Sequence, residues 1–235
     1  MPDRCPICRG TGWIIEEKDG CEYAAPCECQ VMERLIAVEK RLNIPARFQG
    51  TDLRGFAAGK PNSSLKQVIS RVERFVNDFP AVDKGLLFQG DIGVGKTKML
   101  CAIAGELLND QPGLDLYYID WNDLVREMRS GEDHASRDFS NIHLLVQRLA
   151  RADVLLFDEV GASRVSPWVQ DNIYYIVNRR YNAGRLTCCA TNFYDECADG
   201  RETLEQRVGL RIRSRLFEMT HALVIPGTDY RRRWG

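Results

Sequence analysis

Residues 90–97 read Gly90-Asp91-Ile92-Gly93-Val94-Gly95-Lys96-Thr97, a full match to G-x-x-x-x-G-K-[ST]. The apolar run at 85–89 before it reads as a strand, and 96–109 after it as a helix, the context this phosphate-binding motif requires. Glycines let the backbone curl so that successive N–H groups face a β-phosphate, and the helix N-terminus adds partial positive charge there. Lys96 is expected to bridge the β- and γ-phosphates and the Thr97 hydroxyl to bind Mg²⁺. All eight residues, with Lys98 next in the chain, form the expected nucleotide-binding set.

Working outward, Val154-Leu155-Leu156-Phe157-Asp158-Glu159 is a buried-type strand that ends in two acids. Adjacent carboxylates after such a run point to a cation at its end. Asp158 is the expected second magnesium-side residue, and Glu159 the general base that polarises the attacking water. The strand 186–191 ends at Thr191-Asn192, where Asn192 is the candidate polar contact to the γ-phosphate or the lytic water. Further strands are expected at 115–119, 153–158 and 221–225. Helices are expected at 121–129, 140–151, 167–182 and 202–217, after a first one that starts near the caps Asn62 to Ser64 and ends near Pro80. Strand–helix alternation predicts an α/β domain with a parallel sheet covered on both faces.

The 235 residues suit one such domain and a small appendage; 44% are hydrophobic and 28% charged. No apolar run nears the roughly 20 residues of a membrane span, and the N-terminus carries no signal-peptide pattern, so a cytoplasmic protein is expected. Net charge is −1, which does not advertise nucleic-acid binding overall. Charge is uneven, however: residues 1–30 hold six acids against three bases, and residues 201–235 eight arginines against four acids. Candidates for a single-stranded DNA surface are Arg126, Arg129, Arg179, Arg180 and Arg185, with Trp121, Trp168, Tyr174 and Tyr175 as candidate stacking groups, most of which are better explained as packing on amphipathic helices. His134, His143 and His221 show no ligand spacing.

Of nine cysteines, Cys101, Cys188, Cys189 and Cys197 read as small core residues, while five lie within the first 29 positions. Cys5-x-x-Cys8 and Cys27-x-Cys29 are the expected four thiolate ligands of one tetrahedral Zn²⁺, with Cys21 as an alternative to either member of the second pair. The expected domains are a zinc knuckle at 1–30, a helix and linker at 31–61 and the ATPase domain at 62–235.

With GDIGVGKT at 90–97, LLFDEVGA at 155–162, TN at 191–192, ETLEQRVGLRIRSRLFEM at 202–219 and PGTDYR at 226–231, the chain resembles the bacterial AAA+ helicase loaders of the DnaC/DnaI type and their IstB-like relatives. The resemblance implies an AAA+ core with sheet order 5-1-4-3-2 and no full helical lid, in keeping with the four residues after Arg231. It implies Arg215 as an arginine finger acting across a subunit contact, Arg211 as a second interface arginine and Arg231 as a sensor reaching ATP. CPICRGTGW at 5–13 with PCEC at 26–29 also resembles the zinc-bearing front of DnaI-like loaders, which implies a module that docks on the replicative helicase or masks a single-stranded DNA site. The expected function is ATP-driven loading of a replicative hexameric helicase onto single-stranded DNA. The alternatives are an IstB-like transposition helper acting on duplex DNA and a nucleotide-gated adaptor with little hydrolysis.

Overall fold

The computed structural model describes residues 5–18, 21–30, 42–57, 63–130, 139–197, 200–227 and 229. The helix expected over 31–42 falls almost wholly outside them, as do Arg231 and His134; the side chain of Cys21 is likewise outside the described part. Among the described residues no helix is long and apolar enough to cross a membrane.

Near the N-terminus, β1 (Trp13–Lys18) and β2 (Cys21–Pro26) form an antiparallel hairpin with Trp13 opposite Pro26 and Lys18 opposite Cys21. The main layer begins with α1 (Ser63–Asp78), whose Leu65, Val68, Ile69, Val72, Phe75 and Val76 form one buried stripe. Then follow β3 (Gly85–Gln89), α2 (Lys96–Asp110), β4 (Leu116–Asp120), α3 (Trp121–Ser130), α4 (Phe139–Arg151), β5 (Val154–Asp158), α5 (Pro167–Asn182) and β6 (Leu186–Thr191). The chain continues through α6 (Leu204–Val208), α7 (Leu210–Met219) and β7 (Thr220–Val224). All pairings in this sheet are parallel, in the order β4-β5-β6-β3-β7. Numbered within the sheet and read from its other edge, that is 5-1-4-3-2, as the resemblance implies.

Alternation along the strands divides the core in two. Leu86, Phe88, Leu156, Cys188 and Ala190 face α1 and α2. Leu87, Leu155, Phe157 and Cys189 face the layer of α3, α4, α5, α6 and α7. Both faces are covered, so β3 and β5 are buried at all five positions, which is why they read as unbroken apolar runs. Ile44 and Leu53, from the stretch read as linker, also enter the α1–α2 side of the core.

The expected helix 202–217 is in fact two. Thr203 caps α6 reciprocally with Gln206, and Gly209 breaks the path with φ 87° and ψ 152° before α7 starts. A β-carbon there would lie 2.5 Å from Gln170 Nε2, so glycine makes a bend that the apolar periodicity conceals. Cys101, Cys188 and Cys189 are buried as read from the sequence; Cys197 is only half-buried, in a loop after β6. Burial pushes the Cys188 thiol up to about 12.

Candidate nucleotide-binding and hydrolytic site

The phosphate loop connects the buried end of β3 to α2, and its shape depends on glycine at defined points. Gly93 and Gly95 have φ of 83° and 100°, the left-handed region that side-chain-bearing residues avoid. Asp229 lies so close that a β-carbon on Gly93 would meet its carboxylate oxygen at 1.9 Å. Val94 anchors the loop in the core, while Ile92 is exposed. Lys96 is buried and donates from Nζ to the carbonyl oxygens of Gly90 at 2.8 Å and Asp91 at 2.7 Å. Asp91 also accepts from Arg201 at 3.0 Å. Lys98 extends over the Phe56 ring, 4.7 Å from its centroid.

Beside this loop stands the tip of β5. Asp158 is almost wholly buried and accepts from Tyr118 Oη at 2.9 Å, from the Glu159 N–H at 2.9 Å and from the Thr97 side chain. Thr97 and Asp158, 61 positions apart in sequence, therefore meet where both were expected to face magnesium. Burial raises the Asp158 carboxyl above its ordinary range, against the hydrogen bonds from Thr97 and Tyr118. A buried carboxylate with a hydroxyl partner beside a phosphate loop is a donor set suited to Mg²⁺, a hard cation that takes oxygen ligands.

Glu159 leaves the strand with φ 51°, an unusual conformation for a residue with a side chain, of the kind that collects at functional sites. Its Oε2 accepts from Asn122 Nδ2 at 3.4 Å. Asn122 was not singled out from sequence; the signal was a polar residue just past β4, the strand paired with β5. The β6 tip completes the group. Thr191 Oγ1 donates to Val160 O at 2.7 Å and accepts the Phe193 N–H at 3.1 Å, which sets Asn192 between two anchored neighbours. Asn192, Phe193, Tyr194, Cys197, Arg201 and Glu202 line a cavity of about 230 Å³.

The arginines of α7 go elsewhere. Arg211 stacks on Tyr174 at 3.8 Å and Arg215 on Tyr181 at 4.1 Å, both rings on α5, and Arg215 also pairs with Glu218 at 3.3 Å. Arg213 points away from them and binds Asp195, with Nε 2.6 Å from Oδ1.

Arg180 is removed from the candidates for a DNA surface, and Trp121 takes the packing role favoured for the aromatics. Arg180 is fully buried and donates to Thr187 Oγ1 and to the carbonyls of Leu149, Ala152 and Leu186 at 2.5 to 2.9 Å. Burial lowers its pKa to about 10. Trp121 is equally buried, stacked on Phe157 and bonded to Ser163 O. Trp121 fills the inside of the fold, and Arg180 supplies donors to carbonyls at the end of α4 and the start of β6. Arg126 and Arg185 are paired with Asp123 and Asp153, Arg129 donates to Arg164 O, and Arg179 lies over Tyr175.

At the N-terminal hairpin the sulfurs of Cys5, Cys8, Cys27 and Cys29 all lie within 4.8 Å of one another. The Cys5–Cys27 and Cys8–Cys29 pairs are 3.7 and 3.4 Å apart, near the edge of about 3.8 Å that a tetrahedron with Zn–S bonds of about 2.3 Å demands. Arg9 (φ 52°), Gly10 (φ 90°) and Gly12 (φ 76°) wind the first pair tightly, and Cys27 N–H bonds Gly12 O to bring up the second. Crowding sets the thiols apart: Cys29 is pushed up to about 12, chiefly by its hydrogen bond with Cys8. Four convergent thiols fit a closed zinc site, with no position left for substrate.

With this geometry in view, comparison with known proteins is informative. A family model described as IstB-like ATP binding protein matches residues 61–234. The replicative helicase loader DnaI of Bacillus subtilis is 29% identical over 126 residues, 53% of this chain and 38% of that protein. The replicative helicase loader DnaC of Escherichia coli K12 is 26% identical over 148 residues, 63% of this chain and 56% of that one. The chain thus matches well under two thirds of the length of either relative. Among solved structures, the crystal structure of the DnaC helicase loader superposes with a TM-score of 0.63 at 27% identity, covering 77% of this chain and 99% of that one. A replication initiator DnaA bound to AMPPCP and single-stranded DNA, at 17% identity and a TM-score of 0.60, shares the fold. A complete phosphate loop meeting Asp158, the 5-1-4-3-2 parallel sheet and the match across 61–234 agree: the chain belongs to the IstB-like ATP binding protein family, with a likeness to its DnaC/DnaI-type AAA+ members.

Proposed function

We propose that this protein is an ATP-hydrolysing loader that places a replicative hexameric helicase on single-stranded DNA. The observation that supports the hydrolytic part is the meeting of Thr97 with Asp158, the residue directly before Glu159. The helicase part rests on the likeness to DnaC and DnaI.

In this reading Lys96 exchanges the Gly90 and Asp91 carbonyls for phosphate oxygens, and the loop N–H groups hold the β-phosphate. Thr97 and Asp158 hold Mg²⁺, which when bound neutralises phosphate charge. Glu159, held by Asn122, turns to accept a proton from the attacking water, and Asn192 orients that water or the γ-phosphate. Arg215 and Arg211, stacked on the α5 rings, serve a neighbouring copy of the chain. Arg231 is proposed to reach the nucleotide from the C-terminal side. Zn²⁺ held by Cys5, Cys8, Cys27 and Cys29 makes a docking module of a hairpin too small to fold by itself. That hairpin presents Trp13 and Ile15 to solvent on one face and Tyr23 on the other, exposed apolar groups suited to a protein partner.

The test is the ATPase rate alone, with single-stranded or duplex DNA, and with a DnaB-type helicase. Stimulation by single strands and a stable helicase complex are expected. Stimulation by duplex alone without helicase binding would favour the transposition helper that the IstB-like family match also admits. Tight ATP binding without turnover in any mixture would favour the adaptor.

A further inference from the structure

A single arginine ties together the two strand tips that carry the proposed hydrolytic residues. Arg207, on α6, has a side chain only 10% exposed. It donates Nε to Gly161 O at 2.8 Å, Nη2 to Ala162 O at 2.9 Å and Nη1 to Glu202 Oε2 at 3.0 Å. Its guanidinium lies over the Phe193 ring, 4.9 Å from the centroid. Gly161 and Ala162 follow Glu159 by two and three positions, and Phe193 follows Asn192 directly. Gly161 has φ 82°, and a β-carbon there would sit 3.1 Å from Arg207 Cβ and 3.4 Å from the Phe193 ring. The bare backbone of Gly161 is therefore what lets all three close.

We propose that Arg207 is a positioning residue for ATP hydrolysis, a clamp that fixes the loop after Glu159 against the loop after Asn192. It acts through these two loops, setting where the Glu159 carboxylate and the Asn192 amide point. The inference rests on the reading that this site hydrolyses ATP. A planar fork is required, because one group must serve two carbonyls and a carboxylate while stacking on a ring. Lysine, a compact single ammonium, cannot do so. Since α6 passes through Gly209 into α7, the clamp also joins the hydrolytic tips to the helix that bears Arg211 and Arg215.

The experiment compares wild type, Arg207→Ala, Arg207→Lys and Glu159→Gln, full-length, with single-stranded DNA as stimulant. Turnover at saturating ATP is read beside the affinity for a fluorescent ATP analogue. Both Arg207 variants should lose turnover on the order of 10²-fold, the scale of a 1 Å misplacement, with affinity unchanged. Millimolar guanidinium should restore part of the turnover of Arg207→Ala and none of that of Arg207→Lys. Wild-type turnover in Arg207→Lys, absence of guanidinium rescue, or parallel loss of affinity and turnover would overturn the clamp. If wild type and Glu159→Gln are equally inactive under all conditions, the hydrolytic reading fails by itself. Amide exchange over 159–164 and 191–195 then decides the clamp: faster exchange in Arg207→Ala supports it, and equal exchange overturns it.

Discussion

At the scale of single residues, charge and burial set what each group can do. Lys96 rests on two loop carbonyls, so Lys96→Ala should abolish ATP binding by titration calorimetry. Glu159→Gln should bind ATP normally and lose turnover. Unchanged affinity in the first variant or full activity in the second would remove the assigned role. Asp158 has its pKa raised by burial, so ionising it costs the folded state more than the unfolded one. This penalty is present above the raised folded value and is relieved as pH falls through it. Asp158→Asn should therefore stabilise the magnesium- and nucleotide-free protein at neutral pH in urea titrations, with the advantage shrinking on acidification, while Mg²⁺-dependent turnover is lost. Arg180 is a different kind of buried charge, satisfied by three carbonyls from the end of α4 and the start of β6. Arg180→Ala orphans those acceptors and should cost about 3 kcal/mol of unfolding free energy, without altering ATP affinity in the folded fraction.

Between residue and fold, the elements differ in how far they support themselves. Strands β3 and β5 were legible because burial on both faces forces an uninterrupted apolar run, and their ends fell within one residue of the expected 85–89 and 153–158. The α6–α7 break was not legible: the apolar spacing continues across it, and only the backbone shows that Gly209, at φ 87°, turns the chain. The β1–β2 hairpin has few core residues of its own, since Trp13, Ile15 and Tyr23 are exposed. On the zinc reading, a strong chelator should release about one Zn²⁺ per chain and unfold the hairpin by near-native amide exchange. The ATP affinity of the main domain should survive. A hairpin that keeps its protection without metal would refute zinc as its scaffold.

For the whole molecule, the question is which half of the catalytic apparatus each copy supplies. Arg211 and Arg215 stack on α5 aromatic rings, a placement suited to presentation across a contact between copies. On the proposed reading, Arg215→Ala leaves ATP binding intact and removes assembly-stimulated turnover. Mixing it with Lys96→Ala should restore activity at contacts where an intact Arg215 meets an intact loop. Equal loss in dilute monomer would place Arg215 in its own chain's site.

What the sequence determined by itself is whatever depends on neighbours along the chain. The phosphate loop is contiguous, so its chemistry lies in eight consecutive residues, and the acids that end β5 advertise themselves because a buried strand has few other reasons to finish on carboxylates. The cysteine set was nearly as plain, leaving only Cys21 as an alternative. Tertiary structure alone decided the residues whose partners are far away in sequence. Arg180 and Arg185 look alike on paper, yet one is buried among carbonyls and the other half-buried beside Asp153. Asn122 and Arg207 acquire their places at Glu159 and Gly161 only when β4, β5 and α6 converge. The physical reason is the same for each: a polar side chain's role is set by the groups that desolvate and bond it, and folding alone brings those groups together.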